Sequence, residues 1–184
     1  MATNQYFNKF SNSAEQRLVQ DLVDEAIKIN GVDMVYIPRS VMNEDEIFGE
    51  DRLPKFESGR QLEMYVESYD GYEGGGEQFS SIGLQIDDRM TVVVSRRRFL
   101  EVFADKNYSY PREGDLIYFP LNKDVFEINF VDREYNFFNF GKSMGYKIEC
   151  SLFKFTGEDF DTGFDAVDGV TSAATSQLFA AVLG

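Results

Sequence analysis

The chain has 184 residues, one cysteine and no histidine. That length fits one domain, and the missing histidine excludes Ser-His-Asp and Cys-His hydrolysis and any His-containing metal site. With 18 basic against 32 acidic residues the formal charge is −14, which argues against DNA held on the outer surface and against an anionic membrane.

Eighteen Phe and ten Tyr are enough aromatic mass for a real core, so global disorder is excluded. Lone Cys150 leaves no intrachain disulfide and fits a reducing compartment. No basic and apolar leader is read at the start, and apolar runs stay far below the roughly 18 residues of a membrane span.

Residues 1–12 read as an arm with aromatic hooks, Tyr6, Phe7 and Phe10, able to dock on a neighbouring subunit. Residues 13–30 carry the clearest helical period. Leu18, Leu22, Ala26 and Ile29 recur at three- and four-residue spacing, and Val19, Val23 and Ile27 widen the stripe. Ser13, with Gln16 three residues on, is the expected N-cap, and Gly31 the C-terminal stop. The stripe predicts packing on a sheet.

Val32 to Ile37 reads as a strand ended by Pro38, followed by a polar stretch over 39–60 with Glu44, Asp45, Glu46, Glu50 and Asp51. Gln61 to Glu67 alternates as a half-buried strand, with Leu62, Met64 and Val66 on one face. It is expected to pack against the C-terminal strands. Residues 68–81 form a Gly-rich acidic loop that includes Glu73 and Glu77; Ile82, Leu84 and Ile86 alternate again. Met90 to Val94 is a β-branched, buried strand. Arg96, Arg97 and Arg98 follow it, ahead of apolar Phe99, Leu100, Val102 and Phe103.

From residue 112 the pattern is β. Asp115 to Phe119, Val125 to Val131, Glu134 to Phe140 and Met144 to Phe155 read as four strands with short polar turns, including Asn122-Lys123-Asp124 and Gly141-Lys142-Ser143. The tail is acidic at Glu158, Asp159, Asp161, Asp165 and Asp168, then apolar, with a short helix expected from Ser172. The fold class is mainly β (α+β): an antiparallel barrel or sandwich with an N-terminal amphipathic helix and long acidic loops. Three parts are expected: the arm 1–12, a β-rich domain 13–155 with its helix, and the tail 156–184.

Motif tests are negative. Gly141-Lys142-Ser143 lacks the upstream glycine of a phosphate loop, where Asn136 stands, and reads as a hairpin turn. Gly71-Tyr72-Glu73-Gly74-Gly75-Gly76 would set Glu73 and Glu77 against a pyrophosphate and reads as a loop. Asp159-Phe160-Asp161-Thr162-Gly163 fails as a calcium loop, because Phe164 and Val170 occupy the required Gly and Glu positions. No spacing selects a carboxylate pair for metal or glycosidic chemistry. Cys150 reads as a core residue. Hence no catalytic, cofactor or metal residue is named. The arginine triplet has three readings: a solvated helix start, a grip on an adjacent subunit's carboxylates, or a phosphate contact.

Several stretches in order resemble a known family. Glu25-Ala26-Ile27-Lys28-Ile29-Asn30-Gly31-Val32-Asp33 leads into Tyr36-Ile37-Pro38-Arg39, then Ile47-Phe48-Gly49-Glu50-Asp51 and Glu63-Met64-Tyr65-Val66. Gly71-Tyr72-Glu73-Gly74, Phe79, Arg96-Arg97-Arg98-Phe99 and Arg112-Glu113-Gly114-Asp115-Leu116-Ile117-Tyr118-Phe119-Pro120 follow. Their collinear order resembles the neck (head-completion) proteins of T-even-like myoviruses, including cyanophage relatives. The resemblance implies a non-enzymatic virion protein: a sixfold ring layer of the head-to-tail connector that helps retain packaged DNA and offers the surface for tail attachment. It also implies a portal-side adaptor or neck protein and a tail terminator or tail completion protein as partners, passage of DNA without sequence readout, and assembly in the host cytoplasm.

Tyr6, Phe7, Phe10 and Arg96 to Arg98 are the expected interface residues; Glu44, Asp45, Glu46, Glu50, Asp51, Glu73 and Glu77 are expected to face the DNA channel, where carboxylates repel phosphate. The competing readings are another connector or tail-terminator ring, a metal-dependent carboxylate enzyme, and a small-ligand β-barrel.

Overall fold

The computed structural model describes residues 12–40, 55–56, 58–70, 78–80, 83–85, 88–106, 108–135, 141–155 and 159–169. In chain order the elements are α1 (Ser13–Asn30), β1 (Val32–Ile37), β2 (Lys55–Phe56), β3 (Arg60–Asp70), β4 (Gln78–Ser80), β5 (Gly83–Gln85), β6 (Arg89–Ser95) and α2 (Arg96–Val102). A 3-10 turn (Ala104–Lys106), β7 (Leu116–Phe119), β8 (Asp124–Asp132), β9 (Gly145–Leu152) and β10 (Asp159–Phe160) complete them.

Six antiparallel strands close into a barrel in the order β1-β3-β6-β9-β8-β7, and β7 pairs back onto β1. Of the two β architectures left open by the sequence, the barrel is the one formed. Closure needs bent strands. Register shifts between Val66 and Ser68 in β3 and between Ile128 and Phe130 in β8 supply two bends. The second has a visible consequence: Phe126 and Ile128 point inward, but the bulge turns Phe130 out to solvent and Val131 in.

The interior is filled. Met34, Tyr36, Leu62, Met64, Met90, Val92, Val94, Ile117, Phe126, Ile148 and Cys150 belong to one buried cluster. Strand directions put the C-terminal ends of β1, β6 and β8 and the N-terminal ends of β3, β7 and β9 at one mouth. There Phe99 of α2 and Phe103 join the cluster. Phe99 meets Tyr36 edge-on at 5.3 Å between centroids and stacks on Phe103 at 4.7 Å. Aromatic contacts of this kind add to plain area burial.

A second cluster covers the outer faces of β1 and β7. Val35, Ile37, Leu116 and Tyr118 lie under Phe56 and Val167, with Phe153, Phe160 and Phe164 packed alongside. Parallel pairing of β10 with β2 brings the chain back to this face. Both faces of β1 and β7 are therefore buried, which is why Leu116 to Phe119 reads as a continuous apolar run rather than an alternating one.

Several local expectations change. The N-cap of α1 is Asn12, whose side chain accepts from the Glu15 N–H; Ser13 is already helical. Gly31 ends the helix in an extended conformation. Its lack of Cβ matters for close approach, because a Cβ would sit 2.4 Å from the Ile27 carbonyl oxygen and 2.8 Å from that of Met64. The Gln61 to Glu67 strand pairs with β1 and β6, not with the C-terminal strands. β3 runs on to Asp70, and β4 pairs with β5 inside what reads as loop and alternating segment. Glu134 and Tyr135 lie in a turn after β8, and β8 pairs directly with β9, so no strand from 134 onward stands between them. Residues 136–140 and the helix expected from Ser172 lie outside the described residues.

Candidate functional site

The apolar period of α1 divides in two. Ile27 is buried, and Val19 and Val23 are half-buried on the same face. Leu18, Leu22 and Ile29 are 59, 61 and 71% exposed. Part of the stripe read as sheet-packing is thus a solvent-facing ridge. The barrel-facing side is partly polar instead: Asp24, 3% exposed, sits between Val23 and Ile27.

Asp24 explains where the arginines go. Ser95 ends β6 and caps α2, accepting from the Arg98 N–H at 3.3 Å while its hydroxyl donates to Asp24. Gln20 Nε2 donates to Asp24 Oδ1 at 2.8 Å and to the Met144 carbonyl at 3.1 Å. Arg97 pairs with Asp21 and Asp24; its contact with Asp24 Oδ2 is an ion pair and not an aligned hydrogen bond. Arg98 forks onto Glu63 of β3 at 3.1 Å and onto Glu101 at 2.9 Å. Burial pushes the Glu63 carboxyl up, but Arg98, the residue's own N–H and Lys28 outweigh it and hold it below its ordinary value. Arg97 and Arg98 therefore fasten α1, α2 and β3 within one chain.

Arg96 is different. It lies 5.9 Å from the centre of the Tyr146 ring with no carboxylate partner among the described residues. Two further arginines share its mouth of the barrel, Arg133 at 3.6 Å over Tyr110 and Arg112 at 3.9 Å over Tyr108. Tyr146 donates its hydroxyl to the Ser109 carbonyl at 3.1 Å, tying these rings to one segment. Burial raises the Tyr146 phenol, against the opposing charges of Arg96 and Arg133. Sequence reading grouped Arg96 with its neighbours in the chain; space groups it with Arg112 and Arg133. Only Arg112 had a local signal, Tyr108 four positions earlier; the rings under Arg96 and Arg133, Tyr146 and Tyr110, are distant in the chain.

Deeper in the same mouth, Tyr36 donates to Asp115, and Asp115 also accepts the Arg39 N–H at 2.8 Å. Burial raises the Asp115 carboxyl, although these two donors and the Arg112 charge pull it down. This is a structural pair under the aromatic plug. Cys150 lies inside the barrel, where burial and then Glu149 push its thiol far up. A thiol held in its neutral form is inert as a nucleophile.

The failed motifs find structural employment. Gly141 has φ 70° in the bend before β9. Thr162 binds Asp168 through its backbone N–H at 3.1 Å and its hydroxyl at 2.8 Å. No group of three or more potential metal ligands occurs among the described residues, and none of the described helices is long and apolar enough to cross a membrane. Tyr6, Phe7, Phe10, Glu44, Asp45, Glu46, Glu50, Asp51, Glu73 and Glu77 lie outside the described residues.

A packed barrel that keeps its chemistry-bearing groups for internal fastening, and carries an apolar ridge on its outside, has the character of a building block. The family model for the virus neck protein of T4 type matches residues 1–176. The chain belongs to that family of structural virion proteins.

Proposed function

We propose that the chain forms one ring layer of the head-to-tail connector of a tailed phage, sixfold to match the tail. It assembles in the host cytoplasm against a portal-side adaptor or neck protein, helps retain the packaged DNA, and offers the surface on which a tail terminator or tail completion protein docks. The observation that carries this reading is the exposed ridge Leu18, Leu22 and Ile29 on a barrel whose interior is filled by its own side chains. Such a body works through its outside. Rings use heterologous contacts, one patch meeting a different patch on the next copy. The ridge, the aromatic arm with Tyr6, Phe7 and Phe10, and the outer edges of Arg96 to Arg98 supply one side of that contact. Acidic residues facing the lumen, Glu73 and Glu77 among them, let DNA pass without adhesion.

The test is the native mass of the purified chain, alone and mixed with the portal-proximal neck proteins. A ring, alone or with its partner, supports the reading. A monomer that joins no connector overturns it.

A further inference from the structure

Arg96, Arg112 and Arg133 stand at one mouth of the barrel, around the segment 108–112, and none has a carboxylate partner among the described residues. That is unusual in a chain with nearly twice as many acids as bases. Glu113, Asp132 and Glu134 are close in sequence to these arginines and form no ion pair with them. Each guanidinium is instead set against a tyrosine ring. A cation–π contact, close for Arg112 and Arg133 and looser for Arg96, restricts the group and lowers the entropy lost when it binds, while its N–H donors stay open for a carboxylate. Arg39 joins them at the same mouth, its Nε buried with no hydrogen-bond partner.

What fits this rim is a short segment dense in carboxylates. The chain itself has one: Glu44, Asp45, Glu46, Glu50 and Asp51 fall within eight residues, around Ile47 and Phe48. The other acidic runs are poorer candidates. Residues 70–77 hold three acids, and in the tail Asp168 is already bound to Thr162. We propose that the Arg96–Arg112–Arg133 rim of one copy binds the 44–51 segment of a second copy. The contact is heterologous, so it propagates around a ring, and it builds on the ring reading above. It moves 44–51 from the lumen to the subunit boundary and leaves Glu73 and Glu77 to face the DNA.

Two variants test it. The first, R96E/R112E/R133E, loses the rim; the second, E44Q/D45N/E46Q/E50Q/D51N, loses the segment. Each alone should self-associate roughly tenfold or more weakly than the wild type. Mixed, they should form one-to-one dimers that grow no further, because the intact segment of the first meets the intact rim of the second. R112E/R133E, both exposed in the monomer, serves if the triple change impairs folding, judged by its thermal melt. No heterodimer, with both variants weakened, points to binding within one chain and overturns the proposal. Wild-type self-association untouched by the rim changes, with loss of affinity for a double-stranded oligonucleotide, makes the rim a DNA contact and overturns it too. Those results leave the ring standing. A wild-type chain that joins no ring, alone or with its neck partners, removes both.

Discussion

Ser95 and Asp24 are joined through a hydroxyl that serves two helices at once. The oxygen accepts the Arg98 N–H as the cap of α2 and donates to a buried carboxylate of α1. A chain crossing from β6 into α2 is therefore locked to the helix packed outside the barrel. Ser95→Ala removes both functions. Losing the cap costs about 1 kcal/mol, and weakening the support of a buried carboxylate brings the total to about 1–3 kcal/mol. Urea denaturation measures this. A variant within about 0.5 kcal/mol of wild type would show that the hydroxyl ties nothing.

Gly31 is a second fastening point. Its φ of −85° suits any residue, so the constraint is contact and not conformation. Two backbone oxygens, of Ile27 and Met64, stand where a Cβ would go. Backbone cannot rotate aside as a side chain can. Gly31→Ala is expected to destabilise the chain by about 1–3 kcal/mol, read as a lower denaturation midpoint with unchanged slope. An unchanged midpoint would mean that α1 meets β3 less closely than this.

Asp115 gives a pH signature. Its carboxyl is raised above the ordinary 3.8 chiefly by burial. The folded chain thus holds this proton at pH values where the unfolded chain has released it. The resulting stabilisation is complete below 3.8 and is lost as pH rises through the folded value. Asp115→Asn, which cannot ionise, removes that slope. The stability of wild type minus that of the variant should therefore fall as pH rises from 3.8. A flat difference would place the carboxyl in ordinary solvent.

Much of the scaffold was legible because barrel strands announce themselves locally. Val32–Ile37 and the Met90 to Val94 core of β6 follow from β-branched runs and a bounding proline or charge. What escaped depends on distance in sequence. Nothing local says that β3 pairs with β6 across the 71–88 stretch, or that β10 returns to β2. The arginine triplet divides for the same reason. Three adjacent positions on a helix point in different directions, so Arg97 and Arg98 find partners in α1 and β3 while Arg96 faces Tyr146. The α1 stripe was too wide to have one destination: its Ile27 edge faces the barrel, and polar Gln20 and Asp24, just past that edge, make the barrel side mixed.

The two faces of α1 make opposite predictions. Ile27 is buried against the barrel, and Ile27→Ala should cost the isolated chain about 2–3 kcal/mol. Leu22 is 61% exposed, and Leu22→Ser should change the stability of the isolated chain by less than about 0.5 kcal/mol. In an assembling system the order reverses in importance. Burying Leu22 against a neighbouring subunit stabilises only the assembly, so Leu22→Ser should lower the yield of rings or connector complexes, as measured by native mass, at unchanged monomer stability. Were Leu22→Ser to unfold the isolated chain as Ile27→Ala does, the ridge would already be covered within the monomer. The exposed stripe would then lose its standing as a contact surface.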